Sequence, residues 1–251
     1  MSMNIVATEV HNVYLNEVSK MPVIKMPVRV VKHDVFKYLG YKTLKDQKRS
    51  PLLEKEIDKA LYTALSIIKP HASYDYFNFS IDKENMKVIF KEGPIFSGKY
   101  IIEKLEKAEK IAAVFLTVGD QIEKRSADYF SNGDYLTGLI YDAIGSVALY
   151  DLKSNFFRKL CERARLAGNG LTMGLSPGSD GWPIEDQTSL FKLLDGESIG
   201  VTLKESMMMT PVKTISVVYG IGKKLAIPDE DHNCGKCNLK NCQFRSKPNI
   251  N

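Results

Sequence analysis

Ser176-Pro177-Gly178-Ser179-Asp180-Gly181-Trp182-Pro183 holds the chain's single tryptophan and two turn signals, Pro-Gly and Asp-Gly. Apolar segments flank it. Leu190-Phe191-Lys192-Leu193-Leu194 follows, then Ile199 to Ser206 and the triple Met207-Met208-Met209, ending at Pro211. Sharp turns that expose backbone beside an aromatic are places where proteins build ligand sites. The residues also have a purely structural reading, with prolines and glycines shaping a tight turn and Trp182 filling a core.

Working outward, a helix is expected near Glu185–Leu194 and strands near 199–203 and 213–219. Upstream, no proline interrupts Tyr135 to Arg165, and Leu136, Ile140, Ala143, Val147, Leu152, Phe156 and Leu160 mark one face. That predicts one long helix of roughly 45 Å, with Gly145 as a point of weakness or bending. Ile111–Val118 is almost continuously apolar and reads as a buried strand, with a further helix starting at Gly119-Asp120. Ser50-Pro51 opens a helix in which Leu53, Ile57, Leu61, Leu65 and Ile68 form the buried stripe, stopped by Pro70. Strands are expected around 74–79 and 86–91, a helix from Ser97-Gly98 to about Ala108, and a short helix after a cap at Asp34. The first 31 residues read as extended. These elements make an α+β protein with a mixed sheet and one long helix. Residues 1–228 form the main unit, with 1–95 as a candidate smaller N-terminal lobe, and 229–251 form a cysteine-rich tail.

The 251 residues are 44% hydrophobic, enough for a substantial core. A net charge of +5 is too mild to argue for nucleic acid, though it would favour an acidic partner surface. There is no uninterrupted apolar run long enough for a membrane span, and the first ten residues lack a signal pattern. The expected location is the cytoplasm, where the four cysteines would be free or metal-bound.

Three of those cysteines stand in the tail as Cys234, Cys237 and Cys242, with His232 two residues upstream. Thiolates with one imidazole suit tetrahedral zinc; thiolates also hold iron–sulfur clusters, for which four protein ligands are usual. The fourth ligand would be His232, the distant Cys161, or a group from outside the chain. Cys161 also reads as a small buried residue on the long helix. Solitary His11, His33 and His71 read as surface or structural.

The order of residues between Gly170 and Ser216 resembles the reactivation (activation) domain of cobalamin-dependent methionine synthase, in its free-standing form. Ser-Pro-Gly, Trp182-Pro183, Gln187, Leu190-Phe191, Ile199-Gly200-Val201, Glu205-Ser206, Met209-x-Pro211 and Lys213–Ser216 occur in sequence. Val35–Tyr41, Phe115–Gly119, Asp142 and Gly145-Ser146-Val147 also fit. The resemblance implies S-adenosylmethionine as ligand and a corrinoid-binding methyltransferase as partner. It also implies a low-potential electron donor. Co(II) corrin would be reduced and remethylated, with cobalt as the nucleophile, so the chain needs no catalytic base and must orient the sulfonium methyl. The chain would be a component of a methyltransferase system.

By that resemblance, Ser176, Pro177, Gly178, Ser179, Trp182, Glu205 and Ser206 are the candidate cofactor-binding residues. The methionines at 207–209 would pack adaptably against a corrin or serve as flexible core. The family grips the ligand with Arg-x-x-x-Gly-Tyr, where arginine forks onto a carboxylate. This chain has Gly174-x-x-x-Gly178-Ser179 in that register. Loss of the charge-assisted pair would cost about 1.5–3 kcal/mol, a tenfold to hundredfold loss of affinity. Arg165, Lys192 and Lys204 are the candidate substitutes. The competing expectation is a metal-bearing binding or electron-transfer module on the same fold that no longer takes S-adenosylmethionine. A zinc-knuckle contact with nucleic acid is weaker, resting on one basic cluster.

Overall fold

The structure, a computed structural model, describes residues 23–41, 50–179 and 181–231. Its helices are α1 (Lys32–Tyr38), α2 (Pro51–Ile67), α3 (Lys99–Leu105), α4 (Gln121–Ser131), α5 (Tyr135–Leu166) and α6 (Gln187–Leu193). Its strands are β1 (Val23–Lys25), β2 (His71–Asp82), β3 (Lys87–Phe90), β4 (Ile95–Ser97), β5 (Lys110–Thr117), β6 (Gly170–Leu171), β7 (Thr202–Leu203), β8 (Met209–Thr210) and β9 (Thr214–Gly222). The main sheet runs β4-β3-β2-β5-β9-β6, with β1 also on β2; β7 and β8 form a separate hairpin.

The expectation of a mixed sheet is corrected. Among the described residues every strand pairing is antiparallel. The unbroken apolar run of β5 arises because both faces of this antiparallel sheet are covered. Ala112, Val114 and Leu116 point to a core shared with α1, α2 and α5. Ile111, Ala113 and Phe115 point to the other core, with Trp182, α3 and α6. The period of two is intact, but neither phase faces water, so alternation vanishes from the sequence.

α5 runs 32 residues without a break and carries basic Arg163 and Arg165 in its last turn. The helix continues through Gly145. A Cβ there would lie 3.2 Å from Ile122, so the glycine allows α4 to approach closely. Asp134 caps the helix, accepting from Thr137 N–H at 3.1 Å. On α2, Leu53 and Ile57 are buried as expected, but Leu65 is exposed and Ala60 and Ala64 complete the stripe. Small residues there bring α2 close to α5, and Thr63 Oγ1 lies 2.6 Å from Tyr141 Oη. Asp34 sits in the first turn of α1 rather than at its cap, which is Val31. The predicted strand from 199 begins instead at Thr202, after a 3-10 turn over Glu197–Ile199. The helix expected from Glu185 divides into a 3-10 turn, Ile184–Asp186, and α6. The short strands β6 and β8 had no sequence signal.

No helix among the described residues is long and apolar enough to cross a membrane.

Candidate functional site

The Ser176–Pro183 segment leaves the sheet edge beside β9. Leu175 and Val218 exchange backbone bonds at 2.9 and 2.8 Å, and Ser176 Oγ–H donates to Ser216 O at 2.8 Å. Two successive turns follow. Ser179 N–H donates to Ser176 O at 3.1 Å, and Trp182 N–H donates to Ser179 O at 2.9 Å. Gly178 N–H closes the loop onto Trp182 O at 2.8 Å. Gly178 has φ 84°, a conformation that favours glycine, and a Cβ there would press on the outer end of the Ile184 side chain, 2.8 Å from Cδ1.

Trp182 is 1% exposed and packs edge-on against Phe96, ring centroids 5.0 Å apart. Its indole N–H donates to Asp186 Oδ2 at 2.7 Å, and the same oxygen accepts from Ser97 N–H at 2.6 Å. Asp186 thereby ties the loop, α6 and the end of β4 together. Burial pushes its carboxyl above the ordinary value of 3.8, opposed by those two hydrogen bonds. Next to it, Gln187 Nε2–H donates to Ser216 Oγ at 2.9 Å in the buried floor.

The seven candidate ligand residues therefore divide by exposure. Trp182 and Pro177 are buried, Ser176 is half-buried, and Gly178, Ser179, Glu205 and Ser206 are exposed. Glu205 and Ser206 occupy the turn of the β7–β8 hairpin, closed by Met207 N–H to Lys204 O at 2.9 Å. The hairpin rests on α6, where Thr188 Oγ1–H reaches Met207 Sδ at 3.5 Å. Met209 packs on the Trp182 core, while Met208 is 55% exposed. Of the three methionines, Met209 therefore serves as core, as one of the two expectations had it.

Position 174 carries the sharpest departure. A Cβ on Gly174 would sit 2.8 Å from Asp231 Oδ1 and 2.9 Å from Val217 Cγ1. The space a side chain would enter holds a carboxylate. Asp231 accepts from Gly174 N–H at 2.9 Å and Tyr219 Oη–H at 3.1 Å, and pairs with Lys153 Nζ at 2.9 Å. Burial first, then the Asp231 charge, hold the Tyr219 phenol well above its usual range. Arg165, Lys192 and Lys204 are exposed, and none forms an ion pair among the described residues.

Sequence reading missed Asp186, Asp231, Lys153 and Tyr219. Asp186 stands four residues after Trp182, the spacing of one helical turn, and that was the available signal. Asp231 had none, because it meets Gly174 only through the return of the chain across the sheet edge.

Cys161 is buried in α5, as expected; burial, then the nearby Asp231 charge, push its thiol up. Among the described residues no group of three or more His, Cys, Asp or Glu side chains is placed to hold a metal. His232, Cys234, Cys237 and Cys242 lie outside the described residues.

These features define a class of architecture: an antiparallel sheet buried between a long helix and a smaller helix–loop layer, with a turn-rich segment at its edge. A solved structure of that class is the MetH reactivation domain bound to AdoHcy. It matches with a TM-score of 0.52 at 12% identity, over 85% of this chain and 81% of that one. At this identity the likeness shows the fold. No protein-family model matches the chain, and no curated protein matches it in sequence.

Proposed function

We propose that the chain is an accessory protein of a corrinoid methyltransferase, most simply of cobalamin-dependent methionine synthase. In this reading it supports reductive remethylation of inactive Co(II) corrin, with S-adenosylmethionine as methyl source and a low-potential electron donor. The observation that carries the reading is the fold match to the reactivation domain along most of both chains. The ordered set of residues from Gly170 to Ser216 supports it. The methyl acceptor is cobalt in this reading, so the chain's own task is to bind and orient. The exposed turn of Gly178 and Ser179 offers backbone, the Glu205 carboxylate offers an acceptor for hydroxyl or amino groups, and Met208 offers a soft apolar contact.

A second reading has its own observation. The residues at position 174 do not fit the carboxylate end of S-adenosylmethionine. Gly174 supplies no cation, and the adjacent Asp231 would repel the ligand's carboxylate. This favours a metal-bearing binding or electron-transfer module that keeps the fold but not S-adenosylmethionine, with Cys234, Cys237, Cys242 and His232 as a zinc or iron–sulfur site. Under both readings, residues 1–228 are the activation-domain-like unit and 229–251 the metal-binding tail.

Two measurements decide. Isothermal titration of the full chain with S-adenosylmethionine and AdoHcy gives saturable heat under the first reading; none at about millimolar ligand leaves the second. Anaerobic co-purification with a corrinoid protein, followed by the loss of the Co(II) spectrum, tests the role itself. A chain that neither retains a corrinoid protein nor alters that spectrum has no corrinoid function.

A further inference from the structure

A concavity lies on the opposite face of the sheet from the Trp182 loop, between β1, β2 and the C-terminal half of α5. Its volume is about 210 Å³. Tyr74, Phe156 and Leu160 supply an aromatic and apolar floor, and Tyr76 stands at its side. Tyr74 and Phe156 meet edge to face at 5.4 Å. The charged groups among its lining residues are Lys25, Lys159 and Arg163, with no carboxylate.

Arg163 is held unusually. Its guanidinium donates to Tyr74 Oη at 2.7 Å and lies over the Tyr74 ring at 5.8 Å. Tyr76 lines the same concavity. The hydrogen-bond partner is a neutral phenol, so the guanidinium is held in direction while its charge stays uncompensated. Lys110 adds a further cation, 5.3 Å above the Tyr76 ring. Among the described residues none of Lys25, Lys110, Lys159 and Arg163 forms an ion pair. The α5 dipole accounts for cations in its own last turns. It does not account for Lys25 and Lys110, which come from two different strands. Like charges gathered around an aromatic floor repel one another unless an anion sits among them.

We propose that this concavity is a binding site for a small organic anion: a phosphate or carboxylate head on a flat ring. Arg163 takes the head through its remaining donors, with Lys159 and Lys25 beside it. Tyr74 and Tyr76 receive the ring. The volume is that of about seven waters, room for one such head and one ring. The site shares no residue with the loop and hairpin, so it stands whether or not the chain serves a corrinoid protein.

The test titrates the full chain with phenyl phosphate, benzoate and inorganic phosphate, followed by amide chemical shifts. Saturable shifts at residues of β1, β2 and α5 are expected. Phenyl phosphate should bind more tightly than inorganic phosphate, and the affinity should fall with added salt. Its ratio to benzoate assigns the head group. Arg163→Gln should weaken phenyl phosphate about tenfold to hundredfold. Lys159→Gln, at an exposed residue with no ion pair among the described residues, should weaken it severalfold without changing the melting temperature. Lys223→Gln, just past the end of β9 and not among the lining residues, should leave it unchanged. The proposal is overturned if no probe saturates by about 10 mM. It is equally overturned if the Arg163 and Lys159 variants bind like wild type, or if the Lys223 variant loses as much. Inorganic phosphate binding as tightly as phenyl phosphate overturns the ring's place in the site.

Discussion

Replacing Asp186 separates the two things its carboxylate does. One oxygen, Oδ2, accepts from both the Trp182 indole at 2.7 Å and Ser97 N–H at 2.6 Å. Asp186→Ala leaves both donors without a partner in a buried place. An orphaned buried donor costs about 1–3 kcal/mol, so the pair should cost roughly 2–6 kcal/mol. Asp186→Asn keeps an acceptor oxygen for both donors and removes the buried charge, so it should fall within about 1 kcal/mol of wild type. Because Trp182 is the chain's single tryptophan, fluorescence reads this site directly. In urea titrations the alanine variant should show a lower midpoint and a red-shifted native emission, the asparagine variant neither. The pH dependence supplies a second arm. Burial raises the folded carboxyl above 3.8, so the folded state binds more protons than the unfolded state in the window just above that value. The contribution of Asp186 to stability therefore falls as pH rises through the window, and Asp186→Asn removes that slope. An alanine variant within about 0.5 kcal/mol of wild type, with unshifted emission, would refute the reasoning.

Three further outcomes follow from the packing. Asp231→Ala removes the acceptor of Gly174 N–H and Tyr219 Oη–H and the partner of Lys153, and should cost about 2–4 kcal/mol by denaturant unfolding. Gly145→Leu forces a side chain against Ile122, 3.2 Å from the position of a Cβ, and should lower stability by about 1–3 kcal/mol; a neutral result would mean that α4 and α5 are not in close contact. Cys161, buried and with its thiol pushed up, should resist a thiol reagent at pH about 8 in the native protein and react once unfolded, read by mass spectrometry of the labelled peptide.

Much of the architecture was legible because local rules and tertiary structure agree. Ser50-Pro51 opens α2, the proline-free stretch from Tyr135 becomes α5, and Pro177-Gly178 shapes the loop before Trp182. The sheet was less legible. An eight-residue apolar strand such as β5 reads the same in any sheet covered on both sides, and strand direction is settled by partners far along the chain. β6 and β8 span two residues each, too short to show a period. Leu65 fits the helical spacing of α2 yet is exposed, because the neighbouring helix lies against Ala60 and Ala64.

In the candidate site the division is similar. The loop's residue types follow from turn chemistry, so Gly178 and the two reverse turns could be read directly. What surrounds them could not. Asp231 lies 57 residues from Gly174 and Arg163 lies 89 from Tyr74. No spacing rule joins such pairs.

By itself the sequence determined that this is an α+β chain with one long helix, a turn-rich tryptophan loop, and a cysteine-bearing tail. These follow from contacts within a few residues, where helical period, capping and turn preference act. Only the tertiary structure decided that the sheet is antiparallel and buried on both faces. It alone put a carboxylate where the resemblance places an arginine, and gathered four cations from two strands and a helix around two tyrosines. Those outcomes depend on which distant segments are brought together, and the energy that brings them together is burial shared across the whole fold.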